Sequence, residues 1–209
     1  LSSMHSIPIG YEVSATPLQI AMSYAALANG GFLLKPYVVE KIEKYDDTII
    51  KNQRNTKKRI LSQVNAEKLK SMLAHTVEHG SGKQAFISGW NVAGKTGTSK
   101  KLVEGKYSED EFRSSFVGFF PEENPQLLCL IILDSPDASR NLHWGSMSAA
   151  PVFKSVMDRV INIDKSISIS RSKKEKIKNK PILIQKNLER KIEYVEMPNL
   201  VGKTVREAF

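Results

Sequence analysis

The residues best suited to chemistry in this chain are Lys95, Thr96, Gly97 and Thr98, in the run Gly94-Lys-Thr-Gly-Thr98. On a strand, the lysine offers a fixed positive charge to a carboxylate. The glycine lets a ligand approach the backbone. The two threonines supply hydroxyl hydrogen bonds, and the Thr98 amide can polarise a carbonyl oxygen. The same lysine and threonine also close a literal phosphate-loop pattern, Gly89-Trp-Asn-Val-Ala-Gly-Lys-Thr96, and Leu127–Leu133 followed by Asp134 mimics the strand that would present a magnesium aspartate. That chemistry needs a helix opening at the Lys-Thr pair, so that backbone amides face phosphates. The following Gly97-Thr-Ser-Lys-Lys-Leu-Val-Glu-Gly105 is a poor helix, and Trp90 and Val92 are bulky for such a loop. A P-loop nucleotide-binding protein is therefore the weaker reading.

Two further patterns bear on metals and thiols. His75-Thr-Val-Glu-His79 matches an inverted zinc motif, with the histidines four apart on one helix face. Both stand off the apolar stripe of that helix, on its last turn, so the expectation is solvent-facing imidazoles and no metal. The one cysteine, Cys129, sits in the apolar run 127–133, excluding an internal disulfide and favouring a buried thiol.

These residues need elements to hold them. Thr16-Pro-Leu-Gln19 is a strong helix opening, and the helix through residue 28 stops at Asn29-Gly-Gly31. Residues 37–50 suit a strand or hairpin. A second helix is expected over about 63–79, capped by Ser62, with Leu69, Met72, Leu73, Thr76 and Val77 as its apolar stripe. Strands are expected at 86–93, 114–120 and 127–133, the last two as an antiparallel hairpin across Pro-Glu-Glu-Asn-Pro, and a closing helix at 148–163. The fold class is α/β in the sense of an α+β layered fold, an antiparallel sheet flanked by helices.

Charge divides the chain. Of a net charge of +9, residues 165–196 carry +6, from ten Lys or Arg against four Glu. Residues 164–193 read as a basic flexible linker, too poor in apolar side chains to repay ordering. No Phe, Tyr or Trp falls between 165 and 193 to stack on bases, so nucleic acid is not an expected partner. No apolar run is long enough to span a membrane. Because the chain starts at Leu1 and stops in mid-pattern at Phe209, it reads as a piece of a longer protein.

Context raises the Lys-Thr-Gly tripeptide above chance. Tyr11-Glu-Val-Ser-Ala-Thr-Pro-Leu-Gln-Ile-Ala21, Gly80-Ser-Gly82, Val92-Ala-Gly-Lys-Thr-Gly-Thr-Ser99, Ser115-Phe-Val-Gly-Phe-Phe-Pro121 and Ala149-Ala-Pro-Val-Phe-Lys154 follow one another as in class B penicillin-binding proteins, which residues 1–163 resemble. Residues 194–209, with Met197-Pro-Asn-Leu-Val-Gly-Lys-Thr-Val-Arg-Glu-Ala208, resemble the truncated start of a PASTA domain. The resemblance implies a penicillin-binding, β-lactamase-like fold and a peptidoglycan D,D-transpeptidase of division type that works through an acyl-serine and needs no cofactor. It implies D-Ala-D-Ala stem peptides as substrate, β-lactams as covalent inhibitors and cell-division proteins as partners. It also implies a domain outside the cell membrane, held by a single upstream anchor.

Within that resemblance, Lys95, Thr96 and Thr98 bind the substrate carboxylate, the Thr98 amide forms half of the oxyanion hole, and Gly97 keeps the strand edge open. Trp90 is expected in the core rather than in the cleft. The family's nucleophile and its serine–asparagine element precede this motif. The matches here, Ser170-Arg-Ser-Lys173 and Ser139-Arg-Asn141, both follow it and read as chance. The chain alone is therefore expected to be inactive. A non-catalytic cell-wall-binding scaffold of the same fold is the alternative.

Overall fold

In the computed structural model, residues 7, 10, 13–45, 49–51, 56–164 and 167 are described. They belong to the first of the chain's two units, Leu1–Arg171. The expected linker (except Asp164 and Ile167) and the expected PASTA start lie outside the described residues.

Helix α1 spans Pro17–Ala28. Its capping box is complete: the Gln19 amide donates to Thr16 Oγ1 at 3.2 Å, and the Thr16 amide donates to Gln19 Oε1 at 2.8 Å. Strand β1 (Phe32–Leu34) pairs antiparallel with β4 (Thr56–Arg59), a small sheet the sequence pattern did not announce. Strands β2 (Lys41–Glu43) and β3 (Ile49–Lys51) pair antiparallel, the hairpin alternative of the strand or hairpin expected over 37–50, ending one residue later. Gly31 has φ +100, and a Cβ there would collide with the Leu61 carbonyl, so only glycine lets the chain cross at that point.

Helix α2 spans Gln63–Glu78, and Ser62 caps it by accepting from the Asn65 amide at 3.2 Å. Its buried face matches the expected stripe only in part: Val77 is buried and Leu73 packs partly buried on the core, Leu69 and Met72 are exposed, and Ala66, Lys70 and Ala74 are buried instead. Small alanines let the helix lie close to its neighbours, and the Lys70 ammonium escapes to Glu67 at 2.8 Å.

The main sheet has the order β5-β6-β7, all antiparallel: β5 Ala93–Val103, β6 Lys106–Phe120 and β7 Leu127–Asp134. The expected 114–120/127–133 hairpin is present, with Phe120 opposite Leu127. The expected strand at 86–93 is absent. Only an isolated bridge joins Ile87 to Trp90, and strand structure begins at Ala93. Instead β5 and β6 continue into a long hairpin closed by the two-residue turn Glu104-Gly105, both with positive φ (50 and 80), the geometry that matches strand twist.

The two sheet faces carry different layers. Phe116 and Phe120 pack with helix α3 (Ala149–Ile163) through Ala149, Ala150, Phe153 and Met157. Phe119 and Ala93 pack on the other face with Ala74 of α2 and Tyr24 and Ala28 of α1. Helices therefore flank an antiparallel sheet on both sides, as the sequence led us to expect. Among the described residues no helix is long and apolar enough to cross a membrane.

Candidate active site

Strand β5 lies at the edge of its sheet, paired with β6 on one side only among the described residues. Strand alternation sends Thr96 and Thr98 to the face of Phe116 and Ser114, which α3 covers, and Lys95 and Gly97 to the face of Ala93 and Phe119. The four residues thus bracket the free edge from both sides.

Lys95 is exposed, and its ammonium donates to the Thr96 carbonyl at 3.0 Å. Among the described residues no carboxylate lies within ion-pair range of it. The cations farther along the hairpin are committed. Lys100 pairs with Glu109, Lys101 with Glu111 at 3.0 Å and Asp134 at 3.3 Å, and Arg113 with Asp134 at 3.4 Å. The hydrogen bond that the Lys101 ammonium donates to Glu111, aided by Asp134, raises the Lys101 pKa above its ordinary value. Lys101 Nζ also donates to Ser135 Oγ at 2.9 Å.

Each threonine hydroxyl is oriented from another element. Thr96 Oγ1 shares a hydrogen bond with Ser81 Oγ at 2.8 Å. Ser81 sits in the turn after α2, whose Gly80 and Gly82 amides both donate to the Thr76 carbonyl at 3.0 Å. Thr98 Oγ1 accepts from the Gly145 amide at 3.1 Å. With its oxygen so used, the Thr98 hydroxyl proton remains available to a ligand. Gly145 lies on the sheet backbone itself: a Cβ there would fall 2.5 Å from both the Gly97 and the Ser115 carbonyl oxygens. A Cβ on Gly97 would run into Ser115 Oγ. Behind these residues, Ser148 Oγ meets the buried Ser114 Oγ at 2.9 Å and donates to the Trp144 carbonyl at 3.0 Å, tying the start of α3 to β6. A cavity of about 520 Å³ continues along β5 from Ser99 to Leu102.

The other sequence candidates divide cleanly. Lys95 and Thr96 are mid-strand, with no helix N-terminus to cradle phosphate, so the nucleotide pattern has no P-loop geometry behind it. Ser139 donates to Asp137 Oδ1 at 2.6 Å in a local turn, consistent with a chance match. Ser170–Lys173 lie outside the described residues. Trp90 packs edge-on against Phe120 at 5.4 Å, in the core. Cys129 is half-buried, and burial pushes its thiol pKa up. Sequence reasoning missed Ser81 and Gly145 as partners of the threonines. The one available signal was small residues at both places, which permit close approach.

What is assembled is a cation and two hydroxyl donors around a free strand edge, a set suited to a carboxylate attached to an extended chain. Comparison with known proteins is consistent with this. The family model described as "Penicillin binding protein transpeptidase domain" matches residues 1–158. The chain is 31% identical over 206 residues to the Stage V sporulation protein D of Bacillus subtilis, covering 95% of this chain and 29% of that protein. It is 34% identical over 170 residues to a peptidoglycan D,D-transpeptidase FtsI homolog of Mesostigma viride, covering 75% of this chain and 28% of the relative. Among solved structures, apo penicillin-binding protein 3 from Mycobacterium tuberculosis superposes with a TM-score of 0.68 at 28% identity, over 77% of this chain and 38% of that one. Its aztreonam complex gives 0.67 at 27%, over the same shares. The chain thus spans under a third of the length of either of these two curated relatives.

Proposed function

Because the chain belongs to the penicillin-binding protein transpeptidase family, we propose that it supplies the Lys-Thr-Gly strand of a peptidoglycan D,D-transpeptidase of division or sporulation type. The names of its relatives support that class. One observation carries the reading. Lys95 is an exposed cation without an acidic partner among the described residues, on a strand edge where the Thr96 and Thr98 hydroxyls are already oriented.

In this mechanism the stem peptide lies extended along the edge of β5. Lys95 and the two hydroxyls hold its terminal D-Ala carboxylate. A serine supplied by the rest of the protein attacks the penultimate D-Ala carbonyl carbon. The Thr98 amide and the serine's own amide share the charge that develops on the carbonyl oxygen. The C–N bond breaks, the terminal D-Ala leaves as an amine after taking a proton, and an acyl-serine remains. The amine of a neighbouring strand then attacks the acyl carbon and releases the serine, leaving a cross-link. A β-lactam enters by the same route, its carboxylate on Lys95 and its opened ring still on the serine. Aztreonam bound to the similar M. tuberculosis protein supports β-lactam binding by this fold.

The working domain is placed outside the cell membrane, anchored from elsewhere in the protein, with cell-division proteins as partners. We assign residues 194–209 to the start of a PASTA module on the pattern Met197-Pro-Asn-Leu-Val-Gly-Lys-Thr-Val-Arg-Glu-Ala208. The test is labelling of the complete protein with a fluorescent penicillin beside its Lys95→Ala variant. A covalent, denaturation-stable adduct that forms at least ~10²-fold more slowly in the variant is expected, the scale of losing one group that stabilises acyl transfer. A folded complete protein that forms no adduct would point to a wall-binding scaffold instead.

A further inference from the structure

We infer that His75, Glu78 and His79 form an exposed chelate for a divalent transition metal of the zinc, nickel and copper class. Their ligating atoms lie within 4.8 Å of one another, all three side chains are exposed, and no ion is present. The imidazole centroids are 4.6 Å apart with planes tilted by 51°. Glu78 Oε2 is 3.6 Å from His79 Nε2.

Chemistry favours this set over a chance surface cluster for three reasons. First, two nitrogens and one carboxylate oxygen leave a fourth position to water, a donor set that suits zinc. Imidazole selects zinc, copper and nickel over magnesium and calcium. Second, zinc bound at about 2.0–2.1 Å needs its ligand atoms roughly 3.4 Å apart in a tetrahedral site. Exposed side chains can close the remaining distance by turning about χ1 and χ2, with no backbone movement. Third, the turn that carries them is fixed. The His79 amide donates to the His75 carbonyl at 2.9 Å, and the Gly80 and Gly82 amides donate to the Thr76 carbonyl at 3.0 Å. The backbone spacing between His75 and His79 is therefore built in. The position also suits a cation, since the last turn of α2 leaves the negative end of the helix dipole there. The expectation of solvent-facing imidazoles holds, and solvent exposure is what leaves their nitrogens free to bind.

The experiment uses the complete, untagged protein, stripped with chelator and titrated with Zn²⁺ by calorimetry, with Mg²⁺ as control. Cu²⁺ electron paramagnetic resonance on the same samples counts coordinated nitrogens. One Zn²⁺ per chain with micromolar affinity, no Mg²⁺ binding and two nitrogens on Cu²⁺ are expected. His75→Ala and His79→Ala should each weaken Zn²⁺ by at least ~10-fold, since even an outer partner of a metal ligand is worth that much. Glu78→Gln should weaken it less. The side chains are exposed, so these variants should keep the wild-type circular dichroism spectrum, and His79→Asn provides a second substitution at the helix end. Zn²⁺ binding of equal strength in the His75→Ala/His79→Ala double variant would assign the metal to other residues and overturn the inference. So would the absence of saturable binding to the wild type.

Discussion

Replacing Gly145 by alanine should damage the site far more than the protein. The added methyl would sit 2.5 Å from two backbone oxygens, Gly97 O and Ser115 O, and neither can rotate away. Ordinary contact begins near 3.4 Å, so the 145 backbone must lift by roughly 0.9 Å. That takes the 3.1 Å bond from the Gly145 amide to Thr98 Oγ1 out to about 4 Å, beyond hydrogen-bond range. Overpacking of this kind costs about 1–3 kcal/mol of stability. A displacement near 1 Å at a reacting constellation costs on the order of 10²-fold in rate. The assay is the second-order rate constant for fluorescent-penicillin acylation of the complete protein, with circular dichroism to confirm folding. Gly105→Ala is the matched control. Gly105 has φ +80 with nothing within 4 Å of its Cβ position, at the hairpin tip. It should lose about 1–2 kcal/mol to backbone strain while acylation stays unchanged. A folded Gly145→Ala protein that acylates within about threefold of wild type, a difference below 1 kcal/mol, would refute the claim that this contact positions Thr98.

Four other outcomes follow from the same structure. Phe153 is fully buried against Phe116, ring centroids 4.8 Å apart, so Phe153→Ala should lose about 3–5 kcal/mol in urea unfolding. Val64→Ala, at a 63% exposed position, should stay within about 0.5 kcal/mol. Glu122 has its pKa raised above the ordinary 4.5 by burial first and by Glu123 second, so the folded state holds its proton more tightly than the unfolded chain. That contribution is fully present below pH 4.5 and is lost as pH rises through the raised value. Glu122→Gln should therefore raise Tm at neutral pH, through a gain in unfolding free energy that solvent screening keeps below about 1 kcal/mol, and leave Tm unchanged at pH 4. Cys129, its thiol pKa raised by burial, should react with a disulfide reagent at pH 7 more slowly than a free thiol, and at the free-thiol rate in urea.

The chain shows which parts of such a fold are written locally. The capping box at Thr16, the Ser62 cap and the apolar core of β6 and β7 are short-range signals, and each was legible. The extension of β6 back to Lys106 was not. Its Lys-Tyr-Ser-Glu-Asp-Glu run has no apolar face, because that part of the hairpin is held by its backbone ladder, ion pairs and the Glu104-Gly105 turn rather than by burial. The buried face of α2 was legible only at Val77 and Leu73, for a related reason. A stripe sought in large side chains overlooks one built from Ala66 and Ala74, where closeness of approach replaces side-chain bulk. At the site, the Lys95–Thr98 motif was legible as residue types, but its orienting partners were not. Ser81 and Gly145 lie 15 and 47 residues from the threonines they hold, and no periodicity links positions so far apart.

In the proposed site, the edge position of β5 is what would let a lysine and two threonines of opposite facing act together. In a central strand, side chains at 95 and at 96 and 98 would be separated by the sheet itself, since alternation puts them on different faces. At an edge, a ligand lying beside the strand is within reach of both faces at once and of the unpaired backbone groups between them. The same edge would invite pairing with another chain. Exposed Lys95, and the charged hairpin beyond it, make nonspecific strand addition unfavourable while remaining attractive to a single carboxylate. Moving the cation one residue, by the exchange Lys95→Thr with Thr96→Lys, keeps the composition but puts the charge on the α3 face beside Ser81. If the edge argument holds, that double variant should lose penicillin acylation as completely as Lys95→Ala. If it retains the activity, the position of the charge relative to the edge is not what matters.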